Sequence, residues 1–346
     1  MKNHSFNRRR FLERAAAAAG AFAVVHGSPR VTLLASNSPQ VSDPPLRARP
    51  GPMSPEAFRR ILAGPIQSQP TPIAPNNEVD YRGLTNVVRR GRQYGVKIFE
   101  LTAGNSQYFS LSYEETKKVT RTLVEAVEGQ GITIAATGAW WTERAVDYAR
   151  FAESVGADAL QILMPEPHGG EDALVQHFET IARATRLPLV LHGVYSESLL
   201  TKLVQIESIV AMKEDSALDY YIDRIITFGD RLEIFSGGAE SRYLVGYPYG
   251  AKAFFSTYTS FAPDISMKFW GAVQQGDIKQ AARITTRYDY PFIKRFTVPF
   301  WHATLEHFGV ARRFVRPPLV PFTNEQMKEV KRFFDGQGLN PADYKS

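Results

Sequence analysis

One lysine stands inside a run that otherwise reads as a buried strand. In Ile209-Val210-Ala211-Met212-Lys213-Glu214-Asp215, period-two alternation puts Ala211, Lys213 and Asp215 on one face, Met212 and Glu214 on the other. The small Ala211 leaves room above it for an inward-facing side chain. Enclosure strips hydration from an amine, which lowers its pKa and favours the neutral form that attacks carbonyl carbon. A lysine that simply ends the strand at a rim would carry no chemistry, and the run by itself leaves both readings open. His192 poses the same choice. Pro188, Val190 and His192 share a face, so the imidazole either enters the same cavity or is a hydrogen-bonded structural group.

Other chemistries find little support. The sequence has no cysteine, which removes thiolate nucleophiles, cysteine zinc sites and disulfides. His302 and His307 are five apart, about 140° around a helix, and so share no metal-binding face. His168 and Glu171 flank Gly169-Gly170 in what reads as a solvated loop. Neither a glycine-rich phosphate loop nor a nucleophilic serine elbow is present. No metal is expected, and a lysine that forms an imine with a carbonyl would need no cofactor, because the protonated imine is itself an electron sink.

The elements that must position these residues alternate along the chain. Strand-like runs are Pro65–Ile73, Lys97–Ala103, Ile132–Gly138, Ala159–Pro165, Leu187–Gly193, Ile209–Asp215, Arg231–Gly237 and Ala251–Thr257, with amphipathic stretches such as Tyr81–Tyr94, Ser112–Glu128, Thr142–Val155 and Glu171–Thr185 between them. Strand starts lie about 20 to 35 residues apart, the size of a βα unit. Right-handed crossovers let eight such units close, so the expected fold is α/β, a (β/α)8 TIM barrel over residues 58–262. An open doubly wound sheet would show a phosphate loop after its first strand, where this chain has Pro72-Ile73-Ala74-Pro75. After Pro263 the pattern turns purely helical (Ile265–Gln275, Asp277–Tyr288, Val298–Phe308, Asn324–Asp335), a C-terminal helical extension over 263–346.

Active sites of such barrels gather at the C-terminal ends of the strands. There this chain carries Gly104-Asn105-Ser106-Gln107, Trp140-Trp141-Thr142, Glu166-Pro167-His168, His192, Lys213 and Ser236-Gly237-Gly238. Trp140 and Trp141 either line a pocket for a bulky aldehyde or pack under a helix. Arg312-Arg313 and Arg316 read as a solvated edge.

The basic balance belongs to the N-terminus. Net charge is +6 with a pI near 9.3, but Lys2, Arg8, Arg9, Arg10, Arg14, Arg30, Arg47 and Arg49 face only Glu13 and Asp43 in the first fifty residues. The remainder is neutral overall, and a polyanion-binding body is not supported, so no nucleic-acid partner is expected. Asn7-Arg8-Arg9-Arg10-Phe11-Leu12 resembles a twin-arginine export motif, and the apolar run Ala15 to Val25 is shorter than the roughly 20 residues of a membrane span. Residues 1–35 are read as that leader, with cleavage near Ala23 or Ala35, and residues 36–57 as an unstructured linker. The mature protein is expected outside the inner membrane and free of it.

From about Gly64 to Gly338 the chain resembles the dihydrodipicolinate synthase / N-acetylneuraminate lyase family of class I Schiff-base aldolases. The likeness is carried by Gly95-Val96, Leu111-Ser112-Tyr113-Glu114-Glu115, Gly156-Ala157-Asp158-Ala159, Leu187-Pro188-Leu189-Val190-Leu191, Ser236-Gly237, Gly250-Ala251 and, most specifically, the Ile209–Glu214 lysine motif. The resemblance implies that Lys213 forms an imine with a 2-oxo acid such as pyruvate, with a homotetramer as the assembly. The family's Gly-Thr-Thr-Gly-Glu loop falls on Ala103-Gly104-Asn105-Ser106-Gln107, which loses both threonines yet leaves Gly104, Asn105 and Ser106 as a carboxylate cradle. Its strand-five tyrosine falls on His192, its Tyr-Tyr pair on Glu166-Pro167, and an arginine of true dihydrodipicolinate synthases on Glu197. Synthesis of dihydrodipicolinate itself is therefore not expected, and export argues against a cytosolic biosynthetic role.

The reading is an exported lyase with Lys213 and His192 catalytic, and with Gly104, Asn105, Ser106, Ser236 and Gly237 binding a small 2-oxo acid or aldehyde. The alternatives are a Schiff-base hydratase or dehydratase on a sugar acid, and a silent ligand-binding barrel.

Overall fold

A computed structural model describes residues 52–166 and 168–344. The leader and most of the linker lie outside the described residues, as does Pro167. Among the described residues eight strands occur: β1 (Gly64–Ser68), β2 (Ile98–Glu100), β3 (Ile132–Ala136), β4 (Ala159–Leu163), β5 (Leu189–His192), β6 (Ile209–Glu214), β7 (Glu233–Ser236) and β8 (Ala253–Phe255). They pair in parallel in chain order and close into a barrel, β8 returning to β1 through Gly64↔Ala253 and Ile66↔Phe255. Between them run α2 (Tyr81–Gln93), α3 (Tyr113–Val127), α4 (Thr142–Ser154), α5 (Glu171–Ala184), α6 (Glu197–Leu203), α7 (Leu218–Phe228) and α8 (Glu240–Gly246), following an α1 (Pro55–Ile61) that precedes the first strand. This is the expected (β/α)8 barrel.

Strands covered on both faces need apolar residues at nearly every position, and β3, Ile132-Thr133-Ile134-Ala135-Ala136, is buried throughout. Ile66, Ile98, Ile134, Val190, Ala211, Phe235 and Phe255 fill the interior. Leu160, Ile162, Leu191, Met212 and Ile234 face the helices. The strands are shorter than the apolar runs that announce them. The first stops at Ser68 although burial continues to Ile73, because Pro70 and Pro72 have no N–H to give a ladder.

Helix α1 corrects the linker boundary. Ser54 caps it by accepting from Ala57 N at 3.2 Å, and Pro55 opens the first turn, where a missing N–H costs nothing. Phe58 and Leu62 then pack onto the interior cluster with Ile66 and Ile98, closing that end of the barrel.

The C-terminal helices α9 (Pro263–Gln274), α10 (Ile278–Ile284), α11 (Tyr290–Ile293), α12 (Val298–His307) and α13 (Asn324–Gln337) share the barrel's core rather than standing apart from it. Phe261, Phe292, Phe308 and Phe334 form one aromatic cluster, with ring centroids 4.9 to 6.4 Å apart in the closer pairs. The expected single helix Asp277–Tyr288 is instead α10 followed by a wide π turn over Thr285–Asp289. Pro291 cannot donate back into the ladder there, so the helix widens.

Arg316 is a clamp, not a solvated edge. It forks onto both oxygens of Glu115 at 2.6 and 2.9 Å and also donates to the carbonyls of Ser110 and Asn77. Glu115 meanwhile forms a capping box with Ser112 at the start of α3. The Arg316 hydrogen bond is the main reason its carboxyl falls to about 2, opposed by burial. Arg313 similarly pairs with Glu306 at 2.9 Å.

Candidate active site

Lys213 lies on β6 in register with His192 on β5 and Phe235 on β7. It faces the interior, as alternation with Met212 and Glu214 requires. Its side chain is 4% exposed, Nζ lying 3.0 Å from His192 Nε2 and pairing with the carboxylate of Asp215. Asp215 Oδ2 is in turn 3.5 Å from His192 Nε2. The Phe255 ring stands below the ammonium, 5.2 Å from centroid to Nζ. Lysine, histidine and aspartate thus form one triangle at the C-terminal end of the barrel, the end where βα-loop sites form. The rim reading of Lys213 is excluded by its burial.

The triangle sets the charge states of its partners. Burial lowers the His192 pKa below its usual 6.5 and the charge of Lys213 adds to this, with Asp215 pulling the other way. The imidazole is therefore neutral near pH 7 and can accept a proton. Burial raises the Asp215 carboxyl, but its contacts with His192 and Lys213 outweigh it and hold the group well below the usual carboxylate range. An amine beside an anion and a neutral base has two proton acceptors in direct contact.

Gly237 makes room for the lysine. A Cβ built there would lie 2.8 Å from Lys213 Nζ, 2.9 Å from Cε and 3.0 Å from Cγ. Gly237→Ala is expected to displace the amine and slow turnover by roughly 10²-fold, the scale of a misplacement near 1 Å. Steady-state kinetics beside a melting curve check this: a rate within twofold of the parent would mean that the lysine does not lie across Gly237.

Ser236 departs from expectation. It pairs in register with Glu214, and alternation with Phe235 puts it on the outer face. Its neighbour Gly237, not its hydroxyl, borders the lysine. Sequence proximity to the strand end suggested the site, but parity decides which way a strand residue points.

The Gly104–Ser106 loop sits above β2. Gly104 is exposed, and a Cβ there would meet nothing within 4 Å. Asn105 is partly buried, its Nδ2 donating to Ser68 Oγ at 2.8 Å and its N–H donating to Thr102 Oγ1 at 3.2 Å. Ser106 is fully buried and its hydroxyl holds the loop together, donating to the Gln69 carbonyl at 2.7 Å and accepting from Thr102 N. It shapes the cradle rather than lining it. Gln107 takes a left-handed backbone, φ 59°, and its Nε2 is 2.7 Å from His302 Nε2, so α12 buttresses the loop.

Trp140 packs rather than lining an open pocket: Tyr108, Tyr113 and Tyr148 surround it with centroids 6.1, 5.4 and 5.2 Å away. Trp141 is exposed, with the Arg144 guanidinium 5.0 Å from its ring. His168 lies in an exposed loop and accepts from Gly170 N. Among the described residues no group of three or more His, Cys, Asp or Glu is arranged to hold a metal.

Two interior residues escaped the sequence reading. Glu100 ends β2 and is fully buried with both carboxylate oxygens lacking a protein partner; Gln161, on β4, is equally buried with neither side-chain atom bonded. The signal for Glu100 was the one used for Lys213, a charge inside the apolar run Ile98-Phe99-Glu100-Leu101 with inward parity to Ile98.

Residues 61–336 match the family model described as the dihydrodipicolinate synthetase family. A probable 5-dehydro-4-deoxyglucarate dehydratase of Streptomyces coelicolor is 26% identical over 299 residues, 81% of this chain and 94% of the relative. A 4-hydroxy-tetrahydrodipicolinate synthase of Alkalilimnicola ehrlichii is 27% identical over 286 residues, 79% and 97% of the two chains. The fold superposes on a dihydrodipicolinate synthase from Bacillus clausii with a TM-score of 0.74 at 23% identity, covering 82% of this chain and 100% of that one.

Proposed function

The chain belongs to the dihydrodipicolinate synthetase family, and from that premise we propose that Lys213 is its imine-forming residue and His192 its proton shuttle. The enzyme is a class I lyase that forms a lysine Schiff base with a 2-oxo acid and makes or breaks the adjacent C–C bond. The observation that carries the residue assignment is the contact of buried Lys213 Nζ with both His192 and Asp215.

In this reading the neutral amine adds to the keto carbon and water is lost, leaving an iminium that withdraws electrons from the neighbouring bond. In the cleavage direction His192 takes the hydroxyl proton of the aldol as the C–C bond breaks. The aldehyde leaves, the enamine is reprotonated, and water releases the 2-oxo acid. The second amide hydrogen of Asn105 and the N–H of Gly104 hold the substrate carboxylate, the N–H groups of Asn105 and Ser106 being bonded to Thr102.

A second reading, dehydration of a hydroxylated 2-oxo acid through the same imine, is favoured by the dehydratase relative at 26% identity over 81% of the chain. The two reactions separate cleanly: incubation with a 4-hydroxy-2-oxo acid gives pyruvate plus aldehyde by cleavage, and loss of water with the carbon chain intact by dehydration. Neither product would contradict both.

The resemblance of Asn7–Leu12 to a twin-arginine motif supports export to the far side of the inner membrane, and among the described residues no helix is long and apolar enough to cross one. Arg8-Arg9→Lys-Lys is expected to strand full-length protein inside the cell, read by fractionation and blotting; processed protein still crossing the membrane would refute the leader. We propose a homo-oligomer, supported by exposed Phe109, Trp141 and Val194 in the connections at the site end of the barrel and Leu218 at the start of α7.

A further inference from the structure

Glu100 has no structural task that its neighbours reveal. It is wholly buried on the inner face of β2, and neither carboxylate oxygen has a protein partner. A buried polar group left unbonded is costly, so such a group persists where a ligand or a reaction uses it. Strands β2 and β6 stand opposite each other in the closed order of eight, and the interior of such a barrel is just wide enough for facing side chains to meet. Glu100 therefore projects toward Lys213 from across the barrel. In register beside it on β1 is Ser68, whose hydroxyl accepts from Asn105 of the candidate cradle. Glu100 thus lies between the cradle and the amine.

We propose that Glu100 is a further catalytic residue, the acid that expels water when the imine forms on Lys213. This rests on the Schiff-base reading above and adds a step to it. Addition of the amine to the keto carbon gives a carbinolamine, the proton shed by nitrogen passing through Asp215 to the alkoxide. The Glu100 carboxylic acid then gives its proton to that hydroxyl. The C–O bond breaks, its electron pair leaving on water, and the nitrogen lone pair forms the C=N bond. An iminium cation and a Glu100 carboxylate replace a neutral carbinolamine and a neutral acid, so charge is conserved and the new anion faces the new cation. Hydrolysis at the end of the cycle returns the proton.

The protonation state fits. Burial pushes the Glu100 carboxyl up to about 8; Asp215 adds to the rise and Lys213 opposes it. Its neighbours in register, Ser68 on β1 and Ile134 on β3, carry no charge. At pH 7 the group holds its proton, and a neutral acid beside the cradle does not repel a substrate carboxylate.

The test is the rate of borohydride-trapped imine on the full-length enzyme with pyruvate and with 2-oxobutyrate, measured from pH 6 to 9 for wild type, Glu100→Gln and Glu100→Asp. For wild type the rate is expected to fall as pH rises through about 8, because the acid form is lost. Glu100→Gln, nearly isosteric, is expected to trap on the order of 10²-fold more slowly and to lose that alkaline limb, still labelling Lys213. Glu100→Asp should recover part of the rate and the limb. Trapping by Glu100→Gln at the parental rate and pH profile would overturn the assignment while sparing the Schiff-base reading. Failure of wild type to trap either acid would overturn both. Should Glu100→Gln melt early, the wild-type limb decides: a flat profile from pH 7 to 9 refutes the proposal.

Discussion

Lys213→Ala is expected to abolish the borohydride adduct and to lower turnover on the order of 10⁴-fold or more, as loss of a covalent nucleophile does. Among the described residues Lys213 is the amine that contacts His192 and Asp215. The fold should survive. Asp215, which loses its partner, is 45% exposed and can be hydrated; the apolar packing of Ala211, Phe235 and Phe255 remains. Circular dichroism and a melting curve beside the assay separate lost chemistry from lost structure. An alanine variant that turned over substrate normally would leave the barrel as a ligand-binding scaffold or move the chemistry elsewhere.

His192→Phe is expected to leave the imine trappable and to slow turnover by roughly 10²–10⁴-fold, the usual range for general acid–base help. Imine formation persists because Asp215 also contacts Lys213 Nζ. The pH profile carries more information. His192 must be neutral to accept a proton, so activity is lost as pH falls through its pKa. Burial places that value below 6.5, lower than the near-neutral ionisation a histidine shuttle suggests at first sight. Wild-type activity should therefore hold down to about pH 6.5 and decline below it. The phenylalanine variant should lack the acid limb. Parental turnover in that variant would reduce His192 to a packing residue beside the lysine.

The barrel and its lysine were legible for a physical reason. A charge inside an apolar strand such as Ile209–Glu214 must face something, and alternation says which way. The same rule applies to Glu100, inside Ile98-Phe99-Glu100-Leu101, although the polar loop Gly104–Gln107 is the more conspicuous feature of that strand end. It also excludes Ser236, which is out of phase with Phe235. Strand ends were overdrawn because burial outlasts the ladder, as at Gln69 to Ile73 behind two prolines. Long-range partnerships had no local signature. Arg316 and Glu115 are 201 residues apart, and the contact of His302 with Gln107 joins the last third of the chain to the candidate cradle. Neither spacing nor composition encodes such pairs; only closure of the barrel and docking of the C-terminal helices bring them together.

The most direct test of the central claim is the location of the trapped adduct. Full-length enzyme incubated with pyruvate, reduced with borohydride and digested should carry the mass of one reduced pyruvate on the peptide containing Met212-Lys213-Glu214, and nothing on the same peptide from Lys213→Ala. Label on a different lysine, or no label from pyruvate or 2-oxobutyrate, would contradict the assignment of Lys213 as the imine-forming residue.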